Sequence, residues 1–215
     1  MNFDSYRRKP VIWIVIIGAL LVYVWFEGSL FGDIDKGGVQ PGVNPAIAAA
    51  TIGGPFQLVD HTGQTVTDQS YAGKHLLVFF GYTWCPDICP TELLILGQAI
   101  DALGDDGEQV VPLFITIDPE RDTPETLAPY VANFHPRMIG LTGSLEQVAA
   151  AAKAYRVYYR RAPQDPGTLH EEEEDDYLMD HSVYMYLMSP DGVFLQHFVR
   201  GQGPKKIAEV VKSHL

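Results

Sequence analysis

At 215 residues and a formal net charge of −12, the chain has room for one ordinary domain plus extensions, and its acidity speaks against nucleic acid as a partner. The acid is concentrated, since Glu171 to Asp176 alone supplies six negative charges, and Cys85 and Cys89 are the only two cysteines. Arg7-Arg8-Lys9 precedes an apolar run from Pro10 to Phe26, broken only by Gly18, with Trp13 near one end and Tyr23 and Trp25 near the other. The run is at the short end of the roughly 17–25 residues that span a bilayer. It is apolar on every face, unlike a core helix, and longer than the core of a cleaved signal, with no Ala-x-Ala site in Glu27-Gly28-Ser29-Leu30. The expectation is a cytoplasmic N-terminus over residues 1–9 and an uncleaved transmembrane anchor over 10–27. The basic flank holds the N-terminal end in the cytoplasm and sends the rest across the membrane. Residues 28–52, with Gly37-Gly38, Pro41-Gly42 and Asn44-Pro45, read as a flexible tether, and 53–215 as the folded domain. In such a compartment free thiols oxidise unless something keeps them reduced or metallated.

Within the domain, Phe56 to Asp60 and Gln64 to Thr67 flank a turn at His61-Thr62-Gly63 and read as a hairpin. His75 to Phe80 is an apolar run suited to a buried strand, and Leu93, Leu94, Leu96, Ala99, Ile100 and Leu103 then recur near a 3.6 period. Val110 to Ile117 reads as a second buried strand, followed by the loop Asp118-Pro119-Glu120-Arg121-Asp122-Thr123-Pro124. A helix from Pro124 to about Asn133 takes Thr123 as its N-cap, and Ser144 begins another that runs through Val148 to Ala154. Arg156 to Arg161 alternates as a strand. The acidic run after Pro166-Gly167 is a loop, read as a solvated insertion or as a device that concentrates cations locally. It lacks the alternating ligands and central Gly of a calcium loop. Val183 to Met188, the turn Ser189-Pro190-Asp191-Gly192 and Val193 to Val199 form a closing hairpin, and Pro204 to about Ser213 a final amphipathic helix. Strands alternating with helices, then a hairpin and a helix, predict an α/β domain around a mixed sheet.

The chemistry concentrates between the first buried strand and its helix, at Trp84-Cys85-Pro86-Asp87-Ile88-Cys89-Pro90. With Pro86 at the first helical position, Cys85 sits where strand meets helix and Cys89 one turn on, so both sulfurs face one side. Amide donors and the positive end of the helix dipole favour thiolates there, which predicts two exposed thiols of lowered pKa. On a regular helix this spacing sets the two Cβ atoms about 5–6 Å apart, whereas a disulfide wants roughly 3.5–4.5 Å. The wider gap suits a soft metal ion, Cu(I) or zinc, held between thiolates. A disulfide-based redox pair is open if the first turn is loose, and so is a pair of inert cysteines.

A third ligand would favour metal. Of the seven histidines, His61, His75, His135 and His214 read as surface or structural residues, His170 as part of the acidic loop, and His197 as either face or core of its strand. His181 stands at the start of an apolar strand after a long loop, at an end of the sheet where the Cys85–Cys89 loop can also lie. Asp180 beside it is placed to orient the ring. On spacing alone His181 reads as an ordinary strand-end residue or as a ligand; with the two thiolates it would complete a three-coordinate site for copper.

Gly53-Gly54-Pro55-Phe56, then Phe80 to Pro90, then Asp118 to Pro124, then Asp180-His181-Ser182 with Ser189-Pro190-Asp191-Gly192 follow one another in order. This series resembles the Sco/SenC family of membrane-anchored copper proteins, over roughly Gly53 to the C-terminus, and the anchor and tether also fit. The resemblance implies a thioredoxin-like mixed sheet flanked by helices behind a single N-terminal transmembrane helix. It implies a domain that faces the periplasm or intermembrane space, and the chain is expected in the inner (cytoplasmic) membrane with its domain in the periplasm. It implies binding of copper, as Cu(I) or Cu(II), with the family's ligands carried onto Cys85, Cys89 and His181. The implied task is copper delivery to the dinuclear centre of cytochrome c oxidase during assembly, the partners being the oxidase's copper-bearing subunit and other copper chaperones. Trp84 departs from the family, which often has His there, although that position is not a ligand, and the acidic run is longer than usual. A thioredoxin places a metal-excluding cis-proline opposite its cysteines, and this chain has Asp180-His181-Ser182 in that neighbourhood. Three other functions use the same residues. One is a thiol–disulfide oxidoreductase that keeps an acceptor's cysteines reduced, with Cys85 as nucleophile and Cys89 as resolving thiol. Another is a redox or copper sensor. The third is a peroxide-reducing enzyme with Arg121 as the activating cation.

Overall fold

The structure, a computed structural model, describes residues 52–163 and 177–215. The expected anchor over 10–27, nearly all of the tether, His170 and the acidic run Glu171 to Asp176 lie outside the described residues. Among the described residues no helix is long and apolar enough to cross a membrane.

Nine strands and four α-helices follow in the order β1 (Gln57–Asp60), β2 (Thr65–Thr67), β3 (His75–Gly81), α1 (Ile88–Ala102), β4 (Val110–Thr116), α2 (Pro124–Ala132), β5 (Ile139–Thr142), α3 (Leu145–Ala154), β6 (Tyr159–Arg161), β7 (Met179–His181), β8 (Tyr184–Met188), β9 (Phe194–Val199) and α4 (Pro204–Lys212), among the described residues. Seven strands make one sheet in the order β2-β1-β5-β4-β3-β8-β9, and β6 and β7 make a separate pair. β3 runs parallel to β4 and antiparallel to β8, so the sheet is mixed, as the alternation of elements predicts. Every residue of β3 is buried, because helices cover a central strand on both faces and an unbroken apolar run is what such a strand requires. Phe79, Phe80, Leu77, Phe114 and Ile115 form the centre of the core. α1 packs on α4 and β4, α2 on β5, and α3 on β1.

Local signals account for most boundaries. Thr123 accepts the Thr126 amide at 3.4 Å, and Ser144 and Gln147 form a reciprocal capping box at the start of α3. The strand expected from Arg156 begins only at Tyr159, because α3 first ends in a left-handed cap. Arg156 has φ of 58°, its amide reaches the Lys153 carbonyl at 3.1 Å, and the Val157 amide reaches Ala152 at 2.8 Å. β5 has no counterpart among the predicted elements. It is four residues long, contains Gly140, and draws its identity from parallel pairing with β4.

A candidate thiol–imidazole metal centre

α1 begins at Ile88, with Asp87 as its N-cap, so Pro86 lies outside the helix and not at its first position. The reason is local. Pro90 has no amide to return to Pro86, and the Cys89 amide donates to Cys85 Sγ at 3.3 Å. The first regular helical bond is therefore Thr91 to the Asp87 carbonyl, 3.3 Å. The Cys85 sulfur thus does the capping that the Asp87 side chain leaves undone.

Both cysteines are free thiols, but they are not equivalent, and the expectation of two exposed thiolates fails. Cys85 is half-buried; Cys89 is 0% exposed, roofed by the core and set against Gly81, where any side chain would collide with its sulfur. The Cys85 thiol is held far below the ordinary thiol range, chiefly by the Cys89 S–H it accepts. Burial works against this, while the amides of Cys89 and Asp87 add to it. The same pairing with Cys85, reinforced by burial, drives Cys89 far upward. Between the two, negative charge is therefore favoured on the half-buried Cys85 and the proton on the fully buried Cys89.

His181 joins them. Its Nε2 lies 3.5 Å from Cys89 Sγ, and its Nδ1 lies 2.9 Å from the Ser182 carbonyl, an acceptor only. In the neutral ring the proton is thereby placed on Nδ1, leaving the Nε2 lone pair toward the sulfur. Phe79 and Tyr82 meet the imidazole edge-on, with ring centroids 6.3 and 6.1 Å away. Two expectations need correction. His181 ends β7 and does not begin the apolar strand, because β7 pairs only with β6 (Tyr159 opposite His181) before the chain turns at Ser182 into β8. Asp180 does not orient the ring: its carboxylate faces outward to Arg160 at 3.1 Å, and the Ser182 carbonyl holds the imidazole instead.

Bonds of about 2.3 Å to sulfur and about 2.0 Å to nitrogen, typical of a first-row ion such as zinc, separate the two donors by roughly 3.5–3.8 Å. The Cys89–His181 spacing of 3.5 Å fits one shared ion. Among the described residues no three His, Cys, Asp or Glu side chains converge as a finished metal cage. To share an ion with this pair, Cys85 would have to turn inward, because its sulfur faces the helix amide. Cys85 and His181 both line an apolar groove of about 500 Å³ with Tyr82, Ile88, Tyr158 and Leu178.

Among the described residues, His61, His75, His135 and His197 are structural or peripheral. His61 Nδ1 accepts the Gly140 amide at 3.1 Å, and His135 Nδ1 accepts the Arg137 amide at 3.1 Å. His75 is buried at its strand start, and His197 packs on Tyr184 and Phe194. Arg121 commits Nε to Asp118 at 2.6 Å and Nη1 to the Tyr177 carbonyl at 3.0 Å. Sequence reasoning missed the support of the thiol loop: Asp122, 0% exposed, accepts the Thr83 amide and hydroxyl and the Thr116 hydroxyl. Its only signal was the acidic Asp118–Pro124 motif, read as a loop.

Fold and site together define a thioredoxin-like α/β domain whose thiol pair, one buried and one half-buried, lies beside an imidazole. A family model described as SCO1/SenC matches residues 44–215, and the chain belongs to that family. It is 43% identical over 216 residues to Protein SCO1 homolog 1, mitochondrial, of Arabidopsis thaliana, an alignment covering 96% of this chain and 62% of that protein. The chain thus spans less than two thirds of that relative's length. Its fold is similar to Arabidopsis thaliana ScoI with copper bound, with TM-score 0.68 and 44% identity over 76% of this chain and 97% of that one. It is also similar to BsSco, described as a member of the Sco family of cytochrome c oxidase assembly proteins with a disulfide switch, with TM-score 0.59 and 25% identity over 77% and 94% of the two chains.

Proposed function

We propose that this protein is a membrane-anchored copper donor. Cys85, Cys89 and His181 hold one copper ion as cargo and release it by ligand exchange to the copper-bearing subunit of cytochrome c oxidase during assembly. The observation that carries this reading is the 3.5 Å approach of His181 Nε2 to Cys89 Sγ, with Cys85 one turn away on the same groove. Two thiolates and an imidazole are a soft donor set suited to Cu(I) and usable by Cu(II). Copper bound in the Arabidopsis thaliana relative and the assembly role named for BsSco support the same reading. Cys85 is already ionised, so loading displaces the proton of Cys89, about one per copper. Trp84, Tyr158 and Leu178, which are 60%, 57% and 52% exposed, present apolar surface beside the site for a partner to cover. The anchor over residues 10–27 keeps the donor in its target's membrane with the domain on the periplasmic side, which raises the effective concentration of one for the other.

The test is an anaerobic Cu(I) titration of the reduced full chain and of His181→Ala, against a competing chelator, with X-ray absorption to identify ligands. One copper per chain on sulfur and nitrogen, sharply weakened by His181→Ala, is the expected result. Equal weak binding by both proteins would reject the donor.

The inequality of the thiols favours one second reading, a thiol–disulfide reductase acting on the acceptor. The Cys85 thiolate attacks an acceptor disulfide, forming a mixed disulfide and expelling one acceptor thiolate. Cys89, losing its proton, then attacks the Cys85 sulfur, releasing the second acceptor thiolate and leaving Cys85–Cys89 oxidised. Its mark is stoichiometric disulfide exchange that does not depend on His181.

A further inference from the structure

His181 does not belong to the seven-stranded sheet, whose strand β3 leads into the cysteine loop. It ends a two-stranded sheet of three residues per strand, and such an isolated pair is marginally stable in water. Besides the short link through Ser182 and Val183 into β8, its position over Cys89 therefore depends on side chains. The β4–α2 loop, Asp118 to Asp122, supplies them in two directions. Toward the thiols, the buried Asp122 carboxylate holds Thr83, two residues before Cys85, through its amide at 3.0 Å and its hydroxyl. Toward the imidazole, the Asp118 carboxylate accepts the Tyr177 hydroxyl at 2.6 Å, and Arg121 Nη1 donates to the Tyr177 carbonyl at 3.0 Å. Tyr177 lies four residues before His181. Its ring is flanked by two guanidinium groups, Arg121 at 3.6 Å and Arg161 at 4.0 Å. Arg161 sits on β6, opposite Met179, and pairs with Glu120 of the same loop. A further tie runs from the Met179 amide to the Tyr82 hydroxyl, 3.2 Å.

We propose that the Asp118–Asp122 loop is the positioning element of the metal centre: it grips the Cys85 loop through Asp122 and the His181 arm through Tyr177, and so sets the distance between thiols and imidazole. Tyr177 is a positioning residue that never touches the ion. The proposal rests on the copper-donor reading for its effect on affinity, but its geometric content concerns the copper-free protein alone. With the clamp intact, the imidazole is presented to the thiols in advance. Without it, the arm carrying His181 swings free and the site becomes a bare thiol pair.

The experiment compares the reduced full chain with Tyr177→Ala, with Tyr177→Phe, which keeps the ring between the guanidiniums but loses the bond to Asp118, and with Val211→Ala. The last is a fully buried core change on α4 that controls for lost stability. Histidine-labelled copper-free samples report ring contacts of His181 with Phe79 and Tyr82 by nuclear Overhauser effects. Cu(I) competition with a chelator and X-ray absorption report affinity and ligands. In Tyr177→Ala the His181 contacts should vanish, Cu(I) affinity should fall by about tenfold or more, as for other outer supports of metal ligands, and the nitrogen ligand should be lost while sulfur stays. Tyr177→Phe should move in the same direction by less, and it carries the test should Tyr177→Ala fail to fold. Val211→Ala should keep both contacts and affinity. The proposal is overturned if the Tyr177 variants keep the His181 contacts and wild-type affinity, or if Val211→Ala loses them equally. Failure of the wild-type chain to bind Cu(I) rejects the donor reading, and the ring contacts alone then decide the positioning claim.

Discussion

Thr83 and Asp122 are joined twice across 39 residues of chain, the carboxylate accepting both the amide and the hydroxyl of the threonine. Because Asp122 also takes the Thr116 hydroxyl at 2.6 Å, it ties the end of β4 to the loop that leads into Cys85. Asp122→Ala strands these buried donors. Unfolding in urea should show a loss of about 2–4 kcal/mol, since each unsatisfied buried partner costs about 1–3 kcal/mol. A variant as stable as wild type would show that the loop needs no such anchor.

The same residue has a pH signature. Burial raises the Asp122 pKa above its ordinary 3.8, outweighing the hydrogen bonds from Thr116 and Thr83, and neighbouring Asp118 adds to the rise. A raised carboxyl binds its proton more tightly when folded. Its stabilising contribution is complete below 3.8 and is lost as pH rises through the native value. Asp122→Asn, which cannot titrate, should flatten this part of the stability profile measured by chemical denaturation. An unchanged slope would assign it to other groups.

Cys85 and Cys89 should react at very different rates. An ordinary thiol loses close to a hundredfold in alkylation rate between pH 8 and pH 6, following its thiolate fraction. Cys85 is already ionised, so its iodoacetamide rate in the copper-free protein should be nearly flat over that range, and Cys89 should stay unmodified. Mass spectrometry of the digested protein reads both sites. Equal labelling, or a steep fall for Cys85, would refute the asymmetry.

Gly81 ends β3 directly under the site. A Cβ there would lie 2.8 Å from Cys89 Sγ and 3.1 Å from ring carbons of both Phe114 and Phe79. Gly81→Ala must push the sulfur or the rings aside. Overpacking of this kind costs about 1–3 kcal/mol. It should also reduce Cu(I) affinity, which separates it from a core change remote from the thiols. Calorimetry and chelator competition on one sample test both parts.

Arg156 offers a test away from the site. It holds φ of 58° at the cap of α3, a conformation that glycine adopts without steric cost. Arg156→Gly should stabilise the fold by about 1 kcal/mol, leaving thiol reactivity unchanged. A drop in melting temperature would mean that the arginine side chain contributes more than its backbone strain removes.

Much of this was legible locally. The unbroken apolar run of β3, the caps Thr123 and Ser144, and the turn at Ser189 to Gly192 depend on neighbours within a few residues, and they appear where expected. β5 and the true start of α1 were not legible. A four-residue strand containing glycine carries no period of its own, and the helix start depends on a sulfur accepting an amide. The Asp118–Asp122 segment was visible as a motif, but its hold on Thr83 and Tyr177 is a matter of contacts 39 and 59 residues away.

By itself the sequence singled out Cys85, Cys89 and His181 as candidate donors and laid out most of the succession of strands and helices, because side-chain chemistry and short-range periodicity are properties of the chain read in order. Only the tertiary structure decided that His181 meets Cys89 across 92 residues, that Ser182 and not Asp180 holds the ring, and that one thiol is buried with its pKa pushed up while the other faces the groove with its pKa pulled down. Those outcomes follow from burial and from the packing of a small second sheet against a distant loop, which depend on where the whole chain goes and not on any stretch of it.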